Sequence, residues 1–201
     1  MTAPTISAKQ VKELRDRTGA GMMECKNALT ETSGDIDQAV ELLRVRLGDK
    51  ALKMGGREAT EGTVAAYIHG NGKVGVLVEV DCNTDFVARN EDFVNFARDV
   101  ALHVAASPTT RYVSEADVPE ADKQAELRVF EQQASDKPEN VRAKIAEGKL
   151  RAWMEEVVLL KQVHVRHLDE KKTIEQMRAE LSGTMGENVV IRRFARFAVG
   201  A

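Results

Sequence analysis

The stretch TVAAYIHGNGKVGVLVEVDC, residues 63–82, decides the fold class. Its two halves, 63–69 and 73–82, are rich in Val, Ile and Tyr and flank Gly70-Asn71-Gly72. Asn71 and Gly72 both tolerate positive φ, so the pair is a strong short-range hairpin signal. Upstream the periodicity is helical. Ser7-Ala8-Lys9-Gln10 is a capping-box pattern, with the Ser7 hydroxyl placed to accept from the third helical amide. Val11 and Leu14 mark one face of the helix that follows, and Gly19 is a left-handed stop. Residues 22–33 read as a second helix with Ala28 and Leu29 inward, ended by Gly34. Asp35 caps a third, in which Ile36, Ala39, Val40, Leu43 and Leu47 recur at helical spacing. Residues 48–62 are charged and broken by Gly55-Gly56, and read as a partly helical linker.

Downstream of the hairpin, Asn90 is the expected N-cap of a helix whose buried stripe is Phe93, Phe96, Ala97, Val100, Ala101 and Val104. Ser107-Pro108 stops it. Residues 120–134 and 139–160 are helical, 163–168 read as a short strand, 173–181 as a helix, and 188–199 alternate as a final strand. The expected class is α+β: a three-helix domain over 1–47, a linker over 48–62, and an α/β core over 63–201 in which helices pack a small antiparallel sheet.

Composition narrows the function. Lys and Arg number 29 against 32 Asp and Glu, a net charge of −3, which argues against a nucleic-acid coat that needs a basic excess to displace counterions. Hydrophobic residues at 43% and charged ones at 30% are the mix of a soluble chain that buries a core. Cys25 and Cys82 form no CxxC, and Met1 to Ile6 holds no basic region followed by an apolar stretch. No apolar run approaches the roughly 20 residues that span a bilayer. A soluble, reduced, cytoplasmic protein is expected.

Sites of covalent chemistry are not indicated. Gly19-Ala20-Gly21 joins two helices without the Gly-Lys-Ser/Thr of a nucleotide loop, and Gly70-Asn71-Gly72-Lys73 joins two strands where a phosphate cradle needs a helix N-terminus. His164 and His167, three apart on an expected strand, would point to opposite faces; His69 and His103 stand alone. Neither a metal nor a cofactor is expected. Arg192, Arg193 and Arg196 interleave with Phe194 and Phe197, which suits either base stacking or a strand with its phenylalanines inward, and the second is favoured. Residues 84–87 resist a bland reading. Phe86 falls in a connection, where polar residues are usual, in a chain with only 6 Phe, 2 Tyr and 1 Trp. It suits insertion into a partner or a staple onto the following helix. Met22-Met23 beside a Gly-rich turn suits a binding surface or core packing.

Two motifs then carry a resemblance. LRDRTGAGMMECKNAL, residues 14–29, and VDCNTDFVA, residues 80–88, resemble the two signatures of bacterial elongation factor Ts, in order, and family-like character runs on to the Arg192-Arg193-Phe194 strand. The resemblance implies a guanine-nucleotide exchange factor for elongation factor Tu, without covalent chemistry of its own. It implies a ubiquitin-associated-like N-terminal domain that docks on the partner's nucleotide-binding domain through Arg15, Met22 and Met23. Thr84, Asp85, Phe86 and Val87 match the segment associated with displacing the partner's Mg²⁺, and His103 matches a histidine that faces the partner. Longer members carry a duplicated core and a coiled-coil insertion; with one hairpin and one core helix, this chain resembles the short form. A lone sheet leaves an apolar face for a second copy, so a homodimer and a two-plus-two complex are expected, with neither nucleic acid nor membrane as a direct partner. A ubiquitin-associated-type interaction module without exchange activity is the alternative; it uses only residues 1–47 and leaves the 84–87 loop unexplained. An RNA-associated protein would predict steeply salt-sensitive binding.

Overall fold

The computed structural model describes residues 6–200; residues 1–5 and 201, and with them the start of the stretch read for a leader, lie outside the described residues. The chain divides into two compact units. The first runs to residue 62 and takes in 81–93 and 176–190; the second takes in 63–80, 94–175 and the chain from 191 onward.

Three helices open the first unit: α1 (Ala8–Thr18), α2 (Met22–Glu31) and α3 (Ile36–Met54). Their ends are written in local chemistry. Ser7 Oγ accepts from the Gln10 amide at 3.2 Å while Gln10 Oε1 accepts from the Ser7 amide at 3.0 Å, the reciprocal capping box. α1 stops at Gly19, which sits at φ 67° and donates to the Arg15 carbonyl. Asp35 Oδ1 accepts from the Gln38 amide at the start of α3. The inward faces meet in one core of Val11, Leu14, Ala20, Cys25, Ala28, Leu29, Ala39, Val40 and Leu43. Burial of each large aliphatic side chain there contributes on the order of 1.5–3 kcal/mol. α3 does not stop near Leu47. It continues to Met54 with Ala51 buried, so the first half of the stretch read as a linker is helix.

The second unit holds most of the sheet, built from β1 (Glu61–His69), β2 (Val74–Cys82) and β3 (Val190–Ala198) in the order β1-β2-β3. The hairpin turn has φ 58° at Asn71 and 88° at Gly72, the two positive values that its geometry requires. β3 runs antiparallel to β2: the Val199 amide donates to the Lys73 carbonyl, and further along Arg193 pairs with Glu79. Strand alternation buries Ala65, Val76, Val78 and Val80 on one face. On the other face Val64, Ile68, Leu77, Phe197 and Val199 stand exposed.

Between β2 and β3 come α4 (Asp85–Ala88), α5 (Glu91–Ala106), α6 (Glu120–Gln133), α7 (Glu139–Val157) and α8 (Ile174–Met185). The α5 stripe of Phe96, Ala97, Val100, Ala101 and Val104 is buried, as its spacing predicts. α6 packs along α7, where Lys149 donates to Gln133 Oε1 and lies 6.0 Å from the centre of the Phe130 ring. α7 then leads into a small core of Val118, Met154, Val157 and Val158 with Tyr112 and Trp153 against it.

Residues 163–168 do not form the expected strand. Only Val163 makes a bridge, to Thr173, and the chain then turns on itself as the His167 amide donates to the His164 carbonyl. The His164 ring captures the Arg166 amide at Nδ1, which replaces a ladder partner. His164 and His167 therefore do not diverge; their rings lie 5.4 Å apart. No described helix is long and apolar enough to cross a membrane.

Candidate functional site

Residues 84–87 are not an open connection. They carry a single helical turn, α4, whose N-cap is Thr84. Thr84 Oγ1 accepts from the Val87 amide at 3.5 Å, and Asp85 pairs with Arg89 at 3.1 Å. Phe86 is 83% exposed, so the staple onto the next helix is not made.

The backbone entering this turn is held from a distant part of the same unit. Gly186, at φ 73°, caps α8 by donating to the Ser182 carbonyl and reverses the chain. The Glu187 carboxylate is thereby brought to the loop, where Oε2 accepts from the Asn83 and Thr84 amides, each at 3.0 Å, and Oε1 accepts from the Thr84 hydroxyl at 2.6 Å. Asn83 is gripped in turn: its Oδ1 accepts from the Asn188 amide at 2.8 Å and its Nδ2 donates to the Glu58 carbonyl at 2.5 Å. Asn188 Nδ2 donates to the Arg57 carbonyl at 2.9 Å. Cys82 adds a weak thiol donor to the Thr84 carbonyl at 3.2 Å. Burial, then the Glu187 charge, push that thiol up to about 11. An exposed aromatic ring thus projects from a turn whose backbone is fixed by charge-assisted hydrogen bonds.

Arg15, Met22 and Met23 lie in the same unit. All three are exposed, Met22 by 57% and Met23 by 64%. The core reading of the two methionines is therefore not realised. α2 begins at Met22 because Gly21 stands at its N-cap and Glu24 accepts from the Gly21 amide at 3.1 Å. The Glu24 carboxyl is held below its ordinary value first by its hydrogen bond from Lys50. This pins the helix start while its first two side chains remain in water.

His103 belongs to the second unit and is 2% exposed, so its ring does not itself form a contact surface. Its Nδ1 accepts from the Val165 amide at 3.3 Å, which leaves Nε2–H to donate to Gln162 Oε1 at 2.7 Å. His164 repeats the pattern, accepting from the Arg166 amide at Nδ1 and donating from Nε2 to the Asp99 carbonyl at 3.0 Å. The two rings stack 5.4 Å apart. Burial pushes both imidazoles below their ordinary value. His103 and Gln162 form part of the wall of an open surface hollow of about 480 Å³ that also reaches Glu155, Glu156 and Lys161. Among the described residues no group of three or more His, Cys, Asp or Glu is arranged to hold a metal ion.

The sequence singles out Phe86 without deciding between exposure and a staple, and gives no sign of what holds it. Glu187 lies 103 residues from Thr84 and carries no signal of its own; only its place after a capping glycine marks it as directed.

The family model described as elongation factor Ts matches residues 3–201. The chain is 50% identical over 197 residues to elongation factor Ts of Thermosipho melanesiensis, covering 97% of this chain and 99% of that protein. It is 49% identical to elongation factor Ts of Caldanaerobacter subterraneus subsp. tengcongensis, with 97% of each chain covered. Against the protein of that name from Trichodesmium erythraeum identity is again 49%, over 97% of this chain and 89% of the relative.

Proposed function

The chain belongs to the elongation factor Ts family, and from that premise we propose that it is a guanine-nucleotide exchange factor for elongation factor Tu in translation elongation. The observation that carries this reading is Phe86, an aromatic ring 83% exposed on a clamped turn. Leaving such a ring in water forgoes roughly 1.5–3 kcal/mol of burial, which a partner surface recovers. A rigid support matters because a mobile ring would lose that gain to ordering entropy.

The mechanism is a wedge without covalent chemistry. Mg²⁺ beside the partner's GDP offsets phosphate charge, and loops of the partner support the ion. Phe86 enters between those supports, with Thr84, Asp85 and Val87 shaping the turn, and nucleotide affinity falls as the metal's surroundings are disturbed. Linkage then requires that nucleotide expel the factor to the same degree. Arg15, Met22 and Met23 form the docking patch of a ubiquitin-associated-like N-terminal domain over 1–47, joined through 48–62 to an exchange and dimerisation core over 63–201. Methionine side chains suit such a patch because they adapt to an irregular surface. His103, buried, acts on the partner through the wall of the hollow that it lines rather than by direct insertion.

A second copy covers the exposed apolar sheet face of Val64, Ile68, Leu77, Phe197 and Val199, giving a homodimer and a two-plus-two complex in the cytoplasm. A family match that runs far beyond residue 47 does not favour an interaction module confined to the N-terminal helices. Stopped-flow release of fluorescently labelled GDP from elongation factor Tu tests the proposal. The full chain accelerates release and Phe86→Ala loses most of that acceleration. Wild-type acceleration by Phe86→Ala at unchanged partner affinity sinks the wedge.

A further inference from the structure

We propose that Glu187 is the positioning residue of the exchange loop, the group that converts an exposed phenylalanine into a rigid wedge; this rests on the exchange reading above. The Glu187 carboxylate takes three hydrogen bonds from two consecutive residues, at the Asn83 and Thr84 amides and the Thr84 hydroxyl. Those amides directly precede α4, so their positions set where the turn starts and where Phe86 points. The carboxylate is itself aimed. Gly186 adopts a left-handed conformation that most side chains resist, and Ser182 Oγ donates to the Glu187 carbonyl at 2.5 Å. Asn188 completes the grip through the Asn83 side chain. A carboxylate that accepts two amides at one oxygen and a hydroxyl at the other satisfies the donors that a solvent-exposed loop would leave to water. Rigidity comes from the C-terminal end of α8, while the exposed chemistry comes from the 84–87 segment.

The effect is on the rate of release rather than on docking, because Arg15, Met22 and Met23 are untouched. Glu187→Ala is expected to lower the maximal acceleration of GDP release about tenfold, with the concentration for half-maximal effect unchanged within about twofold. Glu187→Gln is expected to restore the rate to within about threefold. Its amide oxygen accepts both backbone N–H groups, and its NH₂ donates to the Thr84 hydroxyl oxygen. In a Phe86→Ala background, Glu187→Ala is expected to add nothing, since the wedge that it positions is gone. Amide hydrogen exchange at Asn83 and Thr84 is expected to quicken at least about tenfold in Glu187→Ala, a readout independent of any partner.

An unchanged maximal rate in Glu187→Ala, where Phe86→Ala is slow, overturns the proposal and leaves the exchange reading intact. A Gln variant that fails to rescue the rate while its Asn83 and Thr84 amides stay as protected as in wild type overturns it as well, because charge and not loop position would then be what acts. If Phe86→Ala accelerates GDP release as the wild type does, the wedge falls and this proposal with it; if the full chain accelerates no release, the exchange reading falls, while unchanged amide exchange in Glu187→Ala shows independently that the clamp does not hold the loop. Should Glu187→Ala not fold, Thr84→Val removes the hydroxyl that donates to Glu187, and with it the acceptor that caps α4. It is expected to cost about threefold in maximal rate, and no loss there counts against the clamp.

Discussion

Gly183 sits in α8 where that helix crosses α3, and a Cβ built on it would lie 2.7 Å from the Leu47 carbonyl oxygen and 2.9 Å from Leu47 Cα and Cβ. Two of these atoms are backbone and the third is fixed to it, so no rotamer change relieves the contact. Gly183→Ala therefore sets two opposed terms against each other. Alanine in a helix gains up to about 1 kcal/mol over glycine from propensity and a stiffer unfolded chain. Overpacking against an unyielding surface costs about 1–3 kcal/mol. The clash wins, with a net loss of about 1–2 kcal/mol, and Tm falls by roughly 2–8 °C for a chain of this length. Gly148, in α7, has nothing within 4 Å of its would-be Cβ and supplies the matched control. Gly148→Ala is expected to raise Tm by a few degrees at most, because only the favourable term remains. Thermal melts of both variants by far-UV circular dichroism decide the matter. A Gly183→Ala chain as stable as wild type, or two variants that move in the same direction, would refute the close packing of α8 on α3. The same shift displaces Gly186 and Glu187 three and four residues on, so GDP release is expected to slow in parallel.

Acid should loosen the second unit. His103 and His164 are held below the ordinary imidazole value, so the folded chain binds fewer protons than the unfolded one; their contribution is full above about pH 6.5 and is lost progressively as pH falls from there to the lower values they hold in the folded chain. A urea midpoint followed by Trp153 fluorescence that does not drop between about pH 7 and 5 contradicts this. With its thiol pushed up to about 11, Cys82 should react with a disulfide reagent at pH 8 on the order of a hundredfold more slowly in native than in unfolded protein, as timed absorbance traces would show. On the exposed sheet face, Phe197→Asp should raise the dimer dissociation constant at least about tenfold in light scattering, and an unaltered oligomer would remove that face as the interface.

The elements legible in the amino-acid sequence are those whose decisive interaction is short. The Ser7 and Gln10 capping box, the Asp35 cap and the Asn71-Gly72 turn each depend on groups within three residues, and all three stand where they were read. Burial stripes also survived, since the α5 residues need only a helix and an apolar side to face. Beyond Leu47 the sequence shows only a partly helical stretch, because Gly48 weakens the helix by about 1 kcal/mol and the burial of Ala51, which carries α3 on to Met54, is a tertiary contact. Residues 163–168 were missed for a different reason. β-branched residues there suggest a strand, but ring nitrogens of His103 and His164 capture the Val165 and Arg166 amides that a ladder would need.

By itself the sequence determined that a phenylalanine stands between a strand and a long helix, that two methionines open a helix, and that the chain mixes helices with a small hairpin sheet. These follow from periodicity and local caps, which are properties of neighbouring residues. Only the tertiary structure decided that Phe86 is exposed and held, that His103 is buried, and that Glu187 reaches back to Asn83 and Thr84. The physical reason is that a hydrogen bond depends on distance in space, and a carboxylate 103 residues away becomes a neighbour only once α8 has packed and Gly186 has turned the chain.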